Sequence, residues 1–507
     1  MSVTPNGYNG WTSFAALEEV RRQFKSGADS AYYTDRSDRL AMYYGNHAGY
    51  RDLVLKKIHS VTNIGTPGRD LMETYFSGIN LVKWVTNTLS QVYSTGVDRS
   101  VSKSGKDAPD DVNTELATML KAIKLSSKFK TVERYINLLN SSVVQIKYNK
   151  WRTSVDLEVF PIHRVFVLQH PDYPNQLDAA YGVALEIDTP ANSTEARTRS
   201  RFVRYERIDD GAKGWNCDIV NGSGDIITAI AGENTGTGDT PSVPPIPVLP
   251  LIKIDAWDTQ GEFYPEGNDD IVTEPLAILT METDRIMSQS YTAHPQYVLT
   301  GARDSDSLKD LVVGPGTVSV TGEEEDLKIL DAGGNVEVLI SAVMKTLKLW
   351  LVTRSIPPTE LELEPVERSG VAKYQARQPL YEARAEQVPI YEEAETELFN
   401  KLGHFLLWLK GGNGDGLPGW ALIDWTAYDY SVSINNPAPM LTEQEKQNLW
   451  KSKFDNKVAS TIDYFMEEQG MELRQAQEKA VEIRQAGSLS LATPDTVAGG
   501  LVKDDDG

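Results

Sequence analysis

The chain has 507 residues, more than one hydrophobic core usually supports, so its length predicts two or more compact regions. Hydrophobic residues make up 40% of the chain and charged residues 24%, a balance typical of globular and not of disordered proteins. The formal net charge is −22. A surface this acidic repels phosphate at long range, which argues against a general nucleic-acid binder and permits only local DNA contacts.

Cysteine content and hydropathy exclude further classes. Cys217 is the only cysteine, so the chain has no internal disulfide and no cysteine-rich zinc or iron–sulfur site. The N-terminus has neither a basic start nor an apolar stretch, so we expect no signal peptide. The most apolar stretch, Leu339 to Val352, is short and contains Lys345 and Lys348. We therefore expect no membrane span, and a product made in the cytosol or in a particle assembled there.

Helical periodicity dominates the first part of the chain. Helices are predicted over Phe14–Phe24, Asp35–Tyr44 and Ile79–Tyr93, and in the third the apolar residues recur every three or four positions. A polar stretch from Ser100 to Asp111 is predicted to separate these helices from a helix pair between Val112 and Leu139.

From Val143 the apolar period changes to two, which is typical of strands. The predicted strands are Val143–Tyr148, Val155–Phe160, Val165–Leu168, Ala180–Ile187, Phe202–Arg207, Ile226–Ile230 and Leu249–Ile254. The stretch from Gly232 to Pro250 is rich in Gly, Thr and Pro. We interpret it as a loop inside the same region, because a strand pattern resumes at its end.

Two predicted helices then bracket a small β-containing module. The first runs from Ile271 to Tyr291 and stops at His294-Pro295, because proline disfavours helix in the residue before it. Strand patterns in the module are Gln296–Thr300, Thr317–Thr321 and Leu327–Leu330, with Gly333-Gly334 at its end. The second helix, Val336–Val352, separates its residues into two faces. The apolar face holds Val336, Leu339, Ile340, Val343, Leu347, Trp350 and Leu351; the polar face holds Glu337, Ser341, Lys345 and Lys348.

Helical patterns return near the C-terminus. A helix predicted over Val371–Lys410 contains Pro379 and Pro389 and should be kinked, because proline inside a helix removes a hydrogen bond and clashes with the preceding turn. The remaining predicted elements are a strand over Tyr428–Ile434, a helical segment over Thr442–Gln485 and a mobile tail from Gly487. The helical segment opens on the Thr-x-x-Glu pattern of a capping box.

Four stretches of the sequence, taken in chain order, carry a resemblance to a known protein family. They are Asn80–Gly96, Asp284–Gly301, Arg368-Ser369-Gly370-Val371-Ala372-Lys373 followed by Pro379-Leu380, and Tyr430–Pro437 running into Leu441–Glu445. The succession resembles the portal proteins of tailed bacteriophages over residues 30–485, and it is the order of elements that carries the likeness. The stretch between Thr189 and Pro247 has no counterpart in that pattern.

The resemblance implies an α+β subunit: a wing, two stem helices around a small clip module, a tunnel loop, a long kinked wing helix and a helical C-terminal crown. The implied boundaries are 1–269 and 371–436 for the wing, 270–294 and 335–353 for the stem helices, 295–334 for the clip, 354–370 for the tunnel loop, 437–487 for the crown and 488–507 for a mobile tail.

The same resemblance implies a structural protein that is not an enzyme and has no cofactor. Copies would form a ring, a dodecamer by resemblance, at one vertex of a capsid. Double-stranded DNA would pass through its channel during packaging and ejection. The implied partners are further copies of the chain, the major capsid protein, the large subunit of terminase and the head-completion or adaptor proteins, with no membrane. The implied location is the virion, after assembly in the host cytoplasm.

Residue patterns for catalysis or metal binding are missing from the sequence. Gly105-Lys106-Asp107 lacks the glycine spacing and the hydroxyl of a phosphate-binding loop. The six histidines show no metal-ligand spacing, and no Gly-x-Ser-x-Gly elbow occurs. Two alternatives remain: another virion structural protein, or a cytosolic α+β hydrolase with an unrecognised carboxylate site.

Two residue sets are candidates for the wall of a channel. The polar face of the second stem helix supplies Ser341, Lys345 and Lys348, and mobile lysines can engage DNA phosphates without fixing their register. A solvated helix face is the alternative. The second set, the tunnel loop by resemblance, is Glu360, Glu362, Glu364, Glu367 and Arg368. Its first three glutamates alternate with leucines, so an extended chain puts them on one side, as an edge strand with a polar outer face also would.

Overall fold

The structure, a computed structural model, describes residues 28–45, 51–56, 78–149, 152–169, 177–188, 197–208, 214–220, 226–231, 244–259, 261–265, 270–293, 296–300, 326–330, 336–361, 370–413, 416–437, 443–456, 458–469, 471 and 473–490. The predicted helix Phe14–Phe24 and the predicted strand Thr317–Thr321 lie outside these residues. The chain divides into two units, Met1–Glu360 with Pro379–Pro437 and Leu361–Gln378 with Ala438–Gly507.

Helices and antiparallel sheets are both present, which confirms the predicted α+β class. The α-helices are α1 (Ala28–Tyr44), α2 (Leu81–Leu89), α3 (Asp110–Ala122), α4 (Leu125–Leu139), α5 (Asp270–Ala293), α6 (Val336–Thr353), α7 (Gly370–Ala376), α8 (Gln378–Trp408), α9 (Glu443–Asp455), α10 (Thr461–Gln469) and α11 (Leu473–Ser490). Residues 51–56 are also helical, and 3-10 turns lie at Val92–Ser94 and Pro358–Leu361.

The strands form separate antiparallel sheets. They are β1 (Val97–Lys103), β2 (Lys106–Asp107), β3 (Ser141–Asn149), β4 (Ser154–Pro161), β5 (Val165–Gln169), β6 (Leu177–Asp188), β7 (Arg197–Arg207), β8 (Trp215–Val220), β9 (Ile226–Ala231), β10 (Leu251–Asp255), β11 (Gln296–Thr300), β12 (Asp326–Leu330) and β13 (Asp429–Ile434). The strand orders are β13-β1-β2, β10-β3-β4, β11-β12 and β5-β6-β7-β8-β9.

Helix α4 lies at the centre of the first unit. Its apolar residues, among them Phe129, Val132 and Leu138, are buried, and the helix packs against β3 and β4. It ends at Asn140, whose φ of 71° is left-handed, a conformation that asparagine tolerates better than most residues. The chain can therefore turn directly from α4 into β3, which begins at Ser141.

The stretch from Ser100 to Asp111, predicted as a polar separator between helices, is partly β-strand. Part of it belongs to β1, which pairs with β13 from Val97↔Ile434 to Ser102↔Asp429. Val101 is only 1% exposed, although its neighbours in sequence are polar. The partner strand lies far along the chain, so no local pattern indicates this pairing. Strand β8 was also missed by the sequence prediction, and Ile246 of the Gly232–Pro250 stretch exchanges two backbone hydrogen bonds with its Trp215.

The predicted helix over Val371–Lys410 is wrong as a single element. The structure has two helices, α7 and α8, interrupted at Arg377, and they fall in different units. The interruption lies two residues before Pro379, as expected for a residue that disfavours helix on its N-terminal side. Pro389, in contrast, lies inside α8 without interrupting it.

The predicted helical segment Thr442–Gln485 consists of α9, α10 and α11 in the second unit. Residue Thr442 of its predicted capping box lies outside the described residues. A capping box occurs instead at α10: Asp463 Oδ2 accepts from the Ser460 backbone N–H at 2.6 Å, and the Asp463 N–H donates to Ser460 Oγ at 3.3 Å. Helix α11 continues to Ser490, so the first residues of the predicted mobile tail, from Gly487, are helical.

Candidate functional site

Helices α5 and α6 pack against each other as an antiparallel pair. Their shared root is marked by an ion pair between Asp270, the first residue of α5, and Arg354, which follows α6; Arg354 Nε lies 2.9 Å from Asp270 Oδ2. With 24 residues α5 is about 36 Å long, and with 18 residues α6 is about 27 Å long. The predicted helices on either side of the β module are thus both present.

Burial along the pair shows which end is held in the core. Near the root, Ile271, Ile278 and Leu279 of α5 are buried, as are Leu347 and Leu351 of α6. From Asp284 to Gln289 on α5, and from Val336 to Ala342 on α6, no side chain is buried. The pair is therefore anchored at its root and leaves the core toward its other end.

The strand pair β11–β12 lies at that other end. Strand β11 begins at Gln296, just after α5, and pairs antiparallel with β12 from Gln296↔Leu330 to Thr300↔Asp326. The chain therefore runs outward along α5, through β11 and β12, and back along α6. The predicted bracketing of a small β module by two helices is confirmed in this order, while residues 301–325 and 331–335 lie outside the described residues.

The polar stripe of α6 is exposed along its length, as predicted. Glu337, Ser341, Lys345 and Lys348 follow one another at intervals of three or four residues, and all are exposed. Within the part of the chain that the structure describes, neither lysine has an ion pair. The stripe ends at the root with exposed Val352. The stripe therefore presents two free positive charges about 4.5 Å apart along the helix axis.

Exposed apolar residues flank this polar stripe on both sides. Val338 and Leu349 each follow a stripe residue, so they form one edge. Ile340 and Met344 each precede a stripe residue, so they form the opposite edge. Leu349 is 67% exposed and Ile340 43% exposed, which corrects the prediction that Ile340 shares the buried face. The sequence prediction missed both edges, because it placed Ile340 on the apolar face and assigned Val338, Met344 and Leu349 to neither face.

Helix α6 ends in a Schellman motif. The Ile356 N–H donates to the Leu351 carbonyl at 2.9 Å and the Ser355 N–H to the Val352 carbonyl at 3.0 Å, while Ser355 has a φ of 58°. Ile356 is fully buried against this end. The motif fixes the direction in which the chain leaves the root of the helix pair.

The predicted acidic tunnel loop is only partly described. Pro358–Leu361 form a 3-10 turn, so the extended alternation expected of Glu360 and Leu361 is wrong there. Glu362, Glu364, Glu367 and Arg368 lie outside the described residues. Pro357 and Pro358 explain the local turn, because proline fixes φ near the value of a turn or helix start.

A buried carboxylate elsewhere in the first unit bears on the hydrolase alternative. The Glu395 side chain is fully buried and accepts from Tyr93 at 2.7 Å, from Tyr430 at 2.9 Å and twice from Arg99 at 2.8 Å. Burial and then the Glu395 charge raise the pKa of both phenols. The hydrogen bonds use both carboxylate oxygens, so Glu395 links α8 to β1 and β13 and serves a structural role.

The described residues contain no group of three or more His, Cys, Asp or Glu side chains that could hold a metal ion. Among those same ranges, none of the helices combines the length and the hydropathy needed to cross a membrane.

No protein-family model and no curated protein matches the sequence. Among solved structures, a chain from the neck of an empty gene transfer agent particle, computed with C6 symmetry, is similar at 10% identity and a TM-score of 0.37, over 78% of this chain and 92% of that one. A chain from the virion of a native gene transfer agent particle is similar at 10% identity and a TM-score of 0.35, over 80% and 93%. At such values a likeness does not establish a shared fold, so function is inferred from the chain itself.

Proposed function

We propose that this chain is a virion structural protein, the portal subunit of a tailed phage, and that identical copies close into a ring around a DNA channel. The projecting α5–β11–β12–α6 element supplies the stem and clip in this proposal. It is not catalytic: the ring conducts double-stranded DNA during packaging and ejection, and the energy comes from a partner.

The observation that carries the proposal is the pair of apolar edges on α6. Each edge exposes large apolar side chains, and exposed apolar surface favours burial against another molecule. Because the edges lie on opposite sides of one stripe, the edge of Val338 and Leu349 on one copy can pack against the edge of Ile340 and Met344 on the next. Such a head-to-tail contact between unlike surfaces closes into a ring when the rotation between copies closes.

The polar stripe then faces the ring axis. Both apolar edges are used by neighbours, and Val343, Leu347, Trp350 and Leu351 pack within the chain, so the stripe is the face left for solvent. Ring symmetry repeats Lys345 and Lys348 as two belts of positive charge inside an acidic protein. Phosphate contacts of this kind are independent of sequence, and their small number keeps the duplex free to slide.

The proposed partners follow from this role. They are further copies of the chain, double-stranded DNA, the major capsid protein, the terminase large subunit as the motor, and head-completion or adaptor proteins. The proposed location is the capsid vertex of a virion assembled in the host cytoplasm.

The proposed ring is tested by negative-stain imaging of the purified protein and by measuring its molecular mass in solution. We expect negative-stain images with a central hole and a mass equal to several copies. Leu349→Gln removes an edge contact and should weaken each contact between copies by about 2 kcal/mol, or about thirtyfold. The variant should therefore dissociate at concentrations at which the parent ring persists.

Lys348→Gln is the matched control, because it introduces the same side chain at the neighbouring position on the stripe. It should leave the ring intact. A chain that stays monomeric at every concentration contradicts the proposal, and so does a ring equally sensitive to both substitutions. A ring without an open centre would favour another virion structural role.

A further inference from the structure

The segment between α2 and β1, residues 90–95, contains only a short 3-10 turn, and its centre is buried. Val92 is fully buried and Tyr93 is 3% exposed. Buried backbone outside helices and sheets needs side-chain partners. The Arg384 guanidinium donates to two backbone carbonyls of the segment, from Nε to Gln91 O at 3.1 Å and from Nη2 to Val92 O at 3.1 Å. The Glu133 carboxyl of α4 accepts from the backbone N–H of Val92 at 2.6 Å.

Three buried polar atoms beside this segment lack protein partners. Arg384 Nη1, Gln387 Oε1 and Tyr391 OH are buried, and none has a hydrogen-bond partner among the described residues. Arg384 is 3% exposed and Tyr391 1% exposed. The three residues are spaced three and four apart on α8, so they form one stripe. Gln387 Nε2 lies 3.4 Å from Asn137 Oδ1 of α4, so the stripe faces that helix.

A cavity adjoins the same seam. It has a volume of about 300 Å³ and is lined by Asn137, Gln387 and Tyr391, together with Arg354 and Ser355 at the root of α6. Water occupies about 30 Å³ per molecule in the liquid, so the cavity has room for several. Buried polar atoms without protein partners are the usual ligands of internal water.

We propose that bound water fills the seam between α4 and α8, hydrogen-bonded to Arg384 Nη1, Gln387 Oε1 and Tyr391 OH, and connects the buried Glu133 carboxyl to the cavity. This inference goes beyond the proposed function and does not depend on it. The water gives Glu133 a route to exchange its proton while the fold stays closed. Helix α2, which precedes the segment that Glu133 holds, packs against α5.

The charged and titratable groups around Glu133 fit this role. Arg384 of α8 and Arg134 of its own helix favour the carboxylate, and burial opposes it. Burial and then the Glu133 charge raise the pKa of Tyr391 on α8, so its phenol stays protonated. Burial is the largest effect and raises the pKa of Glu133 to about 7, despite backbone hydrogen bonds from Val92 and Tyr93. Both protonation states are therefore populated near neutral pH, and each requires hydrogen-bond partners.

The variant Tyr391→Phe distinguishes a seam that contains bound water from a dry seam, because it removes only the hydroxyl. If the hydroxyl bonds to water, its loss lowers the folded-to-unfolded ratio about fivefold. If the hydroxyl has no partner, phenylalanine relieves a buried unsatisfied group and the ratio rises instead. Urea unfolding at pH 7 measures the sign, and a rise would overturn the proposal.

Tyr93→Phe is the matched control, since its hydroxyl donates to Glu395 at 2.7 Å and its loss must lower the ratio. A high-resolution map of the parent protein is the second measurement and does not depend on any variant folding. Solvent density within hydrogen-bonding distance of all three atoms supports the proposal, and a seam without density rejects it.

Discussion

Two buried glutamates of the first unit show how the same residue type takes different roles. Glu395 pairs with the Arg99 guanidinium and accepts two phenol hydrogen bonds, so both of its oxygens have protein partners. Glu133 has a backbone amide at 2.6 Å and no ion pair among the described residues, so burial acts on it with less compensation. Its protonation should therefore change with pH in the neutral range, as desolvation disfavours the charged form of a carboxyl group.

Glu133→Gln should remove a pH dependence from the free energy of unfolding. The pKa of Glu133 is raised from 4.5 to about 7 in the fold. Between these values the folded chain holds a proton that the unfolded chain has lost, so the parent loses stability as pH rises from about 4.5 to 7. Below that window the group contributes nothing, and above it the cost is constant at about 3 kcal/mol.

Urea unfolding at pH 5, 6, 7 and 8 checks this sign. The stability of Glu133→Gln relative to the parent should increase across the series and level off above pH 7. Glu393→Gln, on an exposed residue of α8, is the control and should show no such trend. A difference that is flat with pH, or that falls, would show that Glu133 does not titrate in this range.

Helix ends set the direction of the chain at the scale of elements. The Schellman motif after helix α6 has Ser355, with a φ of 58°, at the position that glycine usually occupies. A non-glycine residue in the left-handed region is strained by about 1 kcal/mol. The strain is retained where the chain leaves the root of the α5–α6 pair.

Ser355→Gly should therefore stabilise the first unit, by about 0.5 kcal/mol once the greater freedom of glycine in the unfolded chain is counted. Ser341→Gly, in the exposed interior of the same helix, should destabilise it by about 0.5 kcal/mol, because glycine is a poor helix former. Thermal and urea unfolding of the two variants should thus move in opposite directions. Equal shifts of the same sign would contradict the assignment of strain to residue 355.

Sequence periodicity predicted those elements whose own residues repeat at helical or strand spacing. The α5–β11–β12–α6 order and the exposed stripe of Ser341, Lys345 and Lys348 follow from local spacing and are present in the structure. Strand β1 was missed, since its pairing with distant β13 and not its own alternation makes it a strand. The apolar edges of α6 were missed for a different reason: burial depends on where the helix leaves the core.

At the scale of the whole molecule, net charge and local charge act in opposite directions. The chain carries −22 overall, so most of a ring built from it repels DNA and keeps the duplex from binding to its outer surface. Lys345 and Lys348 are exposed on the one stripe that the proposed ring turns toward its axis. In the proposed ring the attraction for DNA is then confined to the channel, where a few mobile lysine charges lower the electrostatic barrier to the entry of the duplex.

Reversing both stripe lysines, Lys345→Glu with Lys348→Glu, should leave assembly intact and impair DNA packaging or retention. The apolar edges are unchanged, so rings should form with the parent's mass, while the lysine belts become acidic and repel phosphate. Lys106→Glu with Lys121→Glu makes the same change in net charge at two exposed lysines outside the helix pair and is the control. Packaged DNA per particle is the measurement. Full genome content in particles built with the stripe variant would reject the channel role of these lysines, whereas a loss shared with the control would trace the defect to net charge alone.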